Sequence, residues 1–185
     1  KNPAITQKDI VMLGNSLTEN GGDWGKRLNI KHVINRGIIG DDVPGIYERL
    51  HQILPYRPAK IILMEGINDI SHQLSNSEII KSIATTISRI KRESPQTQLI
   101  LQSLLPINEE FKRYKRLEGK TDSVATINRE LETLAKSKGI AFVNLFPLFT
   151  ESGGNALRKE LTTDGLHLNE EGYKIWAAEL RKHIK

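Results

Sequence analysis

Apolar positions along the chain follow two rhythms. Short, nearly continuous runs of β-branched and other apolar residues occur at 9–13, 32–35, 60–64, 98–102 and 140–145, each bounded by Gly, Pro or polar clusters. Strands of a parallel sheet read this way, because helices cover both faces and leave no polar side. Between the runs the apolar spacing changes to three and four. Over 75–93, Ile79, Ile80, Ile83, Ile87 and Ile90 share one helical face. Ser75 and Glu78 stand at capping-box spacing ahead of it, and Pro95 lies just beyond its end. Over 122–138 the stripe is Val124, Ile127, Leu131 and Leu134, with Gly139 as the expected stop. A last helix is predicted from an Asn169 N-cap, with Glu170 and Glu171 in its first turn and Tyr173, Trp176, Ala177 and Leu180 facing inward.

Five strands alternating with helices predict a three-layer α/β fold with a mostly parallel sheet, as one domain over 1–185. Right-handed crossovers then place helices on both faces. Sites in such folds lie beyond the carboxyl ends of the strands, near the switch in strand order. The longest irregular stretch is 104–120, and long loops at strand ends often shape sites.

Composition narrows the picture. With 185 residues, 38% of them hydrophobic, the chain can bury a core without a staple. The absence of cysteine excludes a disulfide scaffold, a thiolate zinc site, an iron–sulfur protein and a cysteine nucleophile. The formal charge of +5 is spread along the chain. Its densest knot is Lys112, Arg113, Lys115 and Arg116, flanked by Glu109, Glu110 and Glu118, and a solvated surface is the expectation there. Aromatic residues, at 5%, are too few for a nucleic-acid stacking platform. No apolar run approaches the ~18 residues of a membrane span. The sequence starts at Lys1 and carries no apolar leader, which suggests a trimmed N-terminus and is compatible with export.

The strand ends carry the chemistry. Gly14-Asn15-Ser16-Leu17 follows the first strand, Gly37-Ile38-Ile39-Gly40-Asp41 the second, and Gly66-Ile67-Asn68-Asp69 the third; Asp164-Gly165-Leu166-His167 precedes the last helix. A serine hydroxyl needs a base to become a nucleophile, and His167 can be that base. Asp164, three residues earlier, can hold the imidazole tautomer and stabilise the imidazolium. Gly40 can bring a backbone N–H to an oxyanion, and Asn68 a side-chain amide. Each element alone is weak: Ser16 reads as an N-cap and Asp164 as a turn cap. It is their joint order that argues for a site.

These blocks resemble the SGNH (GDSL-type) hydrolases, over essentially the whole chain and in the family's order. The resemblance implies a flavodoxin-like three-layer sandwich and a cofactor-free serine esterase. It assigns Ser16 as nucleophile, His167 as base and Asp164 as its partner. The N–H groups of Ser16 and Gly40 with Asn68 would then form the oxyanion hole. The substrate expected from the likeness is a short acyl ester, acetyl above all, on a small molecule or glycan. Rival readings are a lysophospholipase or thioesterase with the same triad, and a silent carbohydrate-binding domain. The family's first block usually has Asp before the serine; here Asn15 stands there, offering hydrogen bonds without charge. The Gly-x-Ser-x-Gly signature of α/β-hydrolases is absent, since Thr18 takes the last place.

The remaining polar residues have plainer expectations. His32, His51, His72 and His183 have no metal-site spacing, and His51 and His183 fall on predicted helices. Trp24 and Trp176 read as core or pocket wall. Asp41, Asp42 and Asp69 read as solvated loop carboxylates. Glu65, at the end of a buried strand, either lines the pocket or is paired in the core.

Overall fold

In the computed structural model, which describes residues 4–184, five strands form one parallel sheet. They are β1 (Ile10–Gly14), β2 (Val33–Gly37), β3 (Lys60–Leu63), β4 (Gln98–Gln102) and β5 (Ala141–Val143), ordered β2-β1-β3-β4-β5. This is the flavodoxin-like order, with the chain reversing direction across the sheet between β1 and β3. Gly14 lies opposite Gly37, so the ends of β1 and β2 are flush where the switch occurs.

Helices α1 (Ser16–Glu19), α2 (Trp24–Leu28), α3 (Val43–Arg49), α4 (Ile67–Ser71), α5 (Asn76–Glu93), α6 (Thr121–Lys138) and α7 (Glu170–Arg181) complete the chain. Helix α2 packs on α7, while α3 packs on α5 and α5 on α6. Right-handed crossovers set these two groups on opposite faces of the sheet. The expected capping box closes the start of α5: the Glu78 N–H donates to Ser75 Oγ at 3.1 Å and the Ser75 N–H to Glu78 Oε2 at 2.8 Å. Gly139 ends α6 in the left-handed conformation, φ +66°. The central strands β1 and β3 are buried almost throughout. Trp24 and Trp176 lie fully inside, edge to face with centroids 4.8 Å apart, and are core. No helix among the described residues is long and apolar enough to cross a membrane.

The differences from the sequence expectations are local. The last strand is shorter than 140–145 because the N–H groups of Leu145 and Phe146 leave the ladder for Ser103 Oγ, at 2.9 and 3.1 Å. Asp9 is not in β1; its Oδ2 accepts from the Thr6 N–H at 2.6 Å and closes a turn. His51 sits in a 3-10 turn and His183 just beyond α7, so neither is on an α-helix.

Candidate active site

The first bank of the site is built on the sheet. Strand β1 ends at Gly14, and the chain turns at once into the single turn α1, with Ser16 its first residue. Asn15 caps that turn. Its Oδ1 accepts from the Leu17 N–H at 3.0 Å, and its Nδ2 donates to Glu65 Oε1 at 3.0 Å. The turn is tight enough that only glycine fits at position 37. A Cβ there would collide with the Glu19 nitrogen and lie 2.8 Å from the Asn15 carbonyl oxygen. Because α1 is one turn, it offers an anion a few local N–H groups rather than the dipole of a long helix.

The second bank is a loop. Thr162 Oγ1 donates to the His167 carbonyl at 2.6 Å and accepts from the Gly165 N–H at 3.0 Å, which folds residues 162–167 back on themselves. Asp164 Oδ1 accepts from the N–H groups of Leu166, at 2.9 Å, and His167, at 2.7 Å. Its Oδ2 faces His167 Nδ1 at 2.7 Å. The Tyr114 hydroxyl donates to the same oxygen at 2.8 Å. Burial would raise the Asp164 pKa; the bonds from His167, the Leu166 and His167 N–H groups and Tyr114 outweigh it and bring it to about 2. Tyr114, partly desolvated and bonded to that carboxylate, is pushed up to about 12 and keeps its proton.

The banks meet at Ser16 Oγ and His167 Nε2, 3.0 Å apart and separated by 151 positions in sequence. With an anion against Nδ1, the ring proton belongs on Nδ1, and Nε2 is the acceptor for the serine hydroxyl.

The third part brings donors. Gly40, at φ +81°, stands at the rim with open space where a side chain would project. Among the described residues, the N–H groups of Ser16 and Gly40 have no protein acceptor. Asn68, in α4, donates through Nδ2 to the Asp41 carbonyl at 2.7 Å, tying itself to the Gly40 loop. Arg49 holds the same loop, donating to Asp41 Oδ2 at 2.7 Å and to the Gly14 carbonyl at 3.0 Å. Ser16, Gly40, Asn68 and His167 line one open cleft of about 530 Å³.

Residues 12–175 match the GDSL-like Lipase/Acylhydrolase family. The chain belongs to that family. GDSL-type acylhydrolases are carboxylic ester hydrolases, and the chain shares their α/β fold. It is 32% identical over 133 residues to the isoamyl acetate-hydrolyzing esterase of Saccharomyces cerevisiae, covering 69% of this chain and 50% of that protein. It is 26% identical over 189 residues to the N-acylneuraminate cytidylyltransferase of Escherichia coli O18:K1:H7, covering 100% of this chain and 42% of that protein. The chain thus spans half or less of the length of these two curated relatives. The crystal structure of a GDSL-like lipase from Bacteroides thetaiotaomicron superposes with a TM-score of 0.85 at 26% identity, covering 96% of this chain and 88% of that one.

Within this member of the family, several sequence expectations are corrected. Asp69 is buried, and both its oxygens accept from the Val43 N–H at 3.2 Å. Asp41 pairs with Arg49, and Asp42 caps α3. None of the three is a freely solvated loop carboxylate. Glu65 is the core pair of Asn15. The basic knot is exposed, as expected for a solvated surface, yet Arg113, Lys115 and Arg116 also line the cleft. Tyr114 is a site residue that sequence reasoning missed. The signal available was its place in the irregular stretch 104–120, which the fold brings over the site.

Proposed function

We propose that this acylhydrolase cleaves short acyl esters, acetyl above all, of carbohydrate or similar small alcohols, through a Ser16–His167–Asp164 acyl-enzyme mechanism. The observation that carries the reading is the continuous chain from Ser16 Oγ through His167 to Asp164, opening into one cleft. Ser16 Oγ attacks the ester carbonyl carbon as His167 Nε2 takes its proton. The oxyanion is met by the N–H groups of Ser16 and Gly40 and by the second N–H of the Asn68 amide; one such donor is typically worth ~3 kcal/mol in the transition state. His167 then protonates the leaving alcohol. Water, deprotonated by the same histidine, releases the acid.

The short-acyl preference rests on the cleft lining, whose apolar side chains are Ile39, Leu117, Leu166 and the ring of Tyr114. That much apolar surface suits an acetyl or propionyl group rather than a fatty chain. The yeast relative is named for an acetate ester, and the bacterial one for an acylated sugar. Both fit the reading. Hydrolysis of p-nitrophenyl acetate, butyrate and decanoate by the wild type and Ser16→Ala tests it. The expected result is acetate turnover that falls by several orders of magnitude in the variant. Equal rates in the two proteins would remove Ser16 from the mechanism, and a decanoate preference would favour a lysophospholipase.

A further inference from the structure

The cleft has a one-signed lining. Arg113, Lys115 and Arg116 border it, and no Asp or Glu does. Two of the carboxylates nearby in sequence are engaged elsewhere, and Glu118 is exposed and, among the described residues, forms no ion pair with the three cations. Glu109 binds the Thr121 hydroxyl and the Gly119 N–H, and Glu110 pairs with Lys159 at 2.8 Å. Of the carboxylates nearby in space, Asp41 is engaged by Arg49, Asp164 by His167, and Glu19 by the Ile39 N–H at 3.0 Å. Among the described residues, none of the three cations forms an ion pair. The turn that carries them is nevertheless held in place. Gln73 Nε2 donates to the Arg116 carbonyl at 2.8 Å, the Leu117 N–H donates to the Tyr114 carbonyl at 3.0 Å, and the Leu117 side chain is buried. Three cations without ion-pair partners, against the one exposed Glu118, leave a net positive field on a fixed turn beside Ser16.

The mechanism says which part of the ester feels it. The proton taken by His167 must reach the leaving oxygen, so the alcohol lies on the His167 side of Ser16. Tyr114 packs edge-on to that imidazole, centroids 6.0 Å apart, and sets its flanking cations on the same side. The opposite rim carries Ile39, 68% exposed, beside Gly40. We propose that the ester taken by this cleft carries a negative charge, a carboxylate or a phosphate, on its alcohol half, recognised by Arg113, Lys115 and Arg116. The inference rests on the esterase reading above and names its substrate class.

The test is a matched set of acetyl esters: 3-acetoxybenzoate and 3-acetoxyphenyl phosphate against neutral 3-acetoxybenzamide. Mono-p-nitrophenyl succinate against p-nitrophenyl acetate places the charge on the acyl side instead. The kcat/KM ratio of anionic to neutral alcohol esters is expected to be on the order of tenfold. It should shrink as NaCl is raised, because these charges are solvent-exposed. It should drop to about one in the Arg113→Gln/Lys115→Gln/Arg116→Gln variant, with melting temperature followed alongside. The larger of the carboxylate and phosphate ratios identifies the anion. A ratio near one in the wild type, with Ser16-dependent p-nitrophenyl acetate turnover intact, overturns this inference and leaves the esterase reading standing. So does a preference that survives the triple substitution, or one confined to the succinate ester. No Ser16-dependent turnover of any substrate would overturn both.

Discussion

Asp164 and Glu65 are both carboxyl groups withdrawn from water, one behind His167 and one behind Asn15, and they are driven in opposite directions. Asp164 has donors on both oxygens, and its pKa sits at about 2. Glu65 is deeper, 2% exposed, and receives the Asn15 amide and a long bond from the Gly66 N–H, while its Oε2 has no partner. Burial first, and then the charges of Asp69 and Asp41, raise its pKa well above the usual carboxylate range. Burial alone therefore does not decide the charge of a carboxyl group; the number of donors turned toward it does. The loop bank favours the charged form of its acid. Burial in the sheet bank disfavours the charged form of Glu65, which serves there as scaffold for Asn15.

The largest test of that contrast is Asp164→Asn. An amide cannot balance an imidazolium, and its N–H would favour the wrong ring tautomer, so kcat should fall on the order of 10⁴-fold. Melting temperature should move little, because Asn can still cap the turn through its oxygen. A loss of less than tenfold would show that the loop bank holds no essential anion.

Asp69 sharpens the other side. Burial, with the Asp42 charge adding to it against the Val43 N–H bond, raises its pKa from 3.8 to about 6. The folded protein thus holds this proton more tightly than the unfolded chain does. Its contribution to stability is complete below about pH 4 and is lost as pH rises through about 6, amounting to roughly 3 kcal/mol at most. Asp69→Asn should flatten this part of the stability curve, read as urea midpoints from pH 4 to 7. Parallel curves for the two proteins would mean that Asp69 is ionised in the fold across that range.

Glu65→Ala strands the buried Asn15 amide and should cost roughly 1–3 kcal/mol in urea unfolding. Glu65→Gln keeps the acceptor and should cost less than about 1 kcal/mol. Equal damage from both would mean that an ionised Glu65 is what the fold requires. The smallest effect expected is Tyr114→Phe. It removes one donor from Asp164 while others remain, so kcat should drop about threefold to tenfold. An unchanged rate would show that the hydroxyl is redundant.

The sequence revealed those parts of the molecule that repeat or stand at fixed offsets. The helices α5, α6 and α7 each carry several turns of apolar spacing, and the strands read as apolar runs. Helices α1 to α4 span four to seven residues, too few for a period to declare itself. Ser16, Gly40, Asn68, Asp164 and His167 could be named because each stands in a block just past a strand or before the last helix. Tyr114 could not, since nothing in its neighbourhood states that position 114 will meet position 164. The fates of Asp41, Asp69 and Glu65 were hidden for the same reason: each depends on a partner brought in by the tertiary fold, with Val43 26 positions from Asp69 and Asn15 50 positions from Glu65.

The last helix holds the two ends of the site together. The Tyr173 hydroxyl in α7 donates to the Leu17 carbonyl at 2.6 Å, one residue beyond Ser16, and Trp176 closes over Trp24. In the order of synthesis the turn bearing Ser16 precedes His167 by 151 positions. Contacts this distant in sequence must repay the entropy of closing the chain between them. The Ser16–His167 contact therefore depends on α7 being docked, and loosening that helix is expected to pull the two side chains apart.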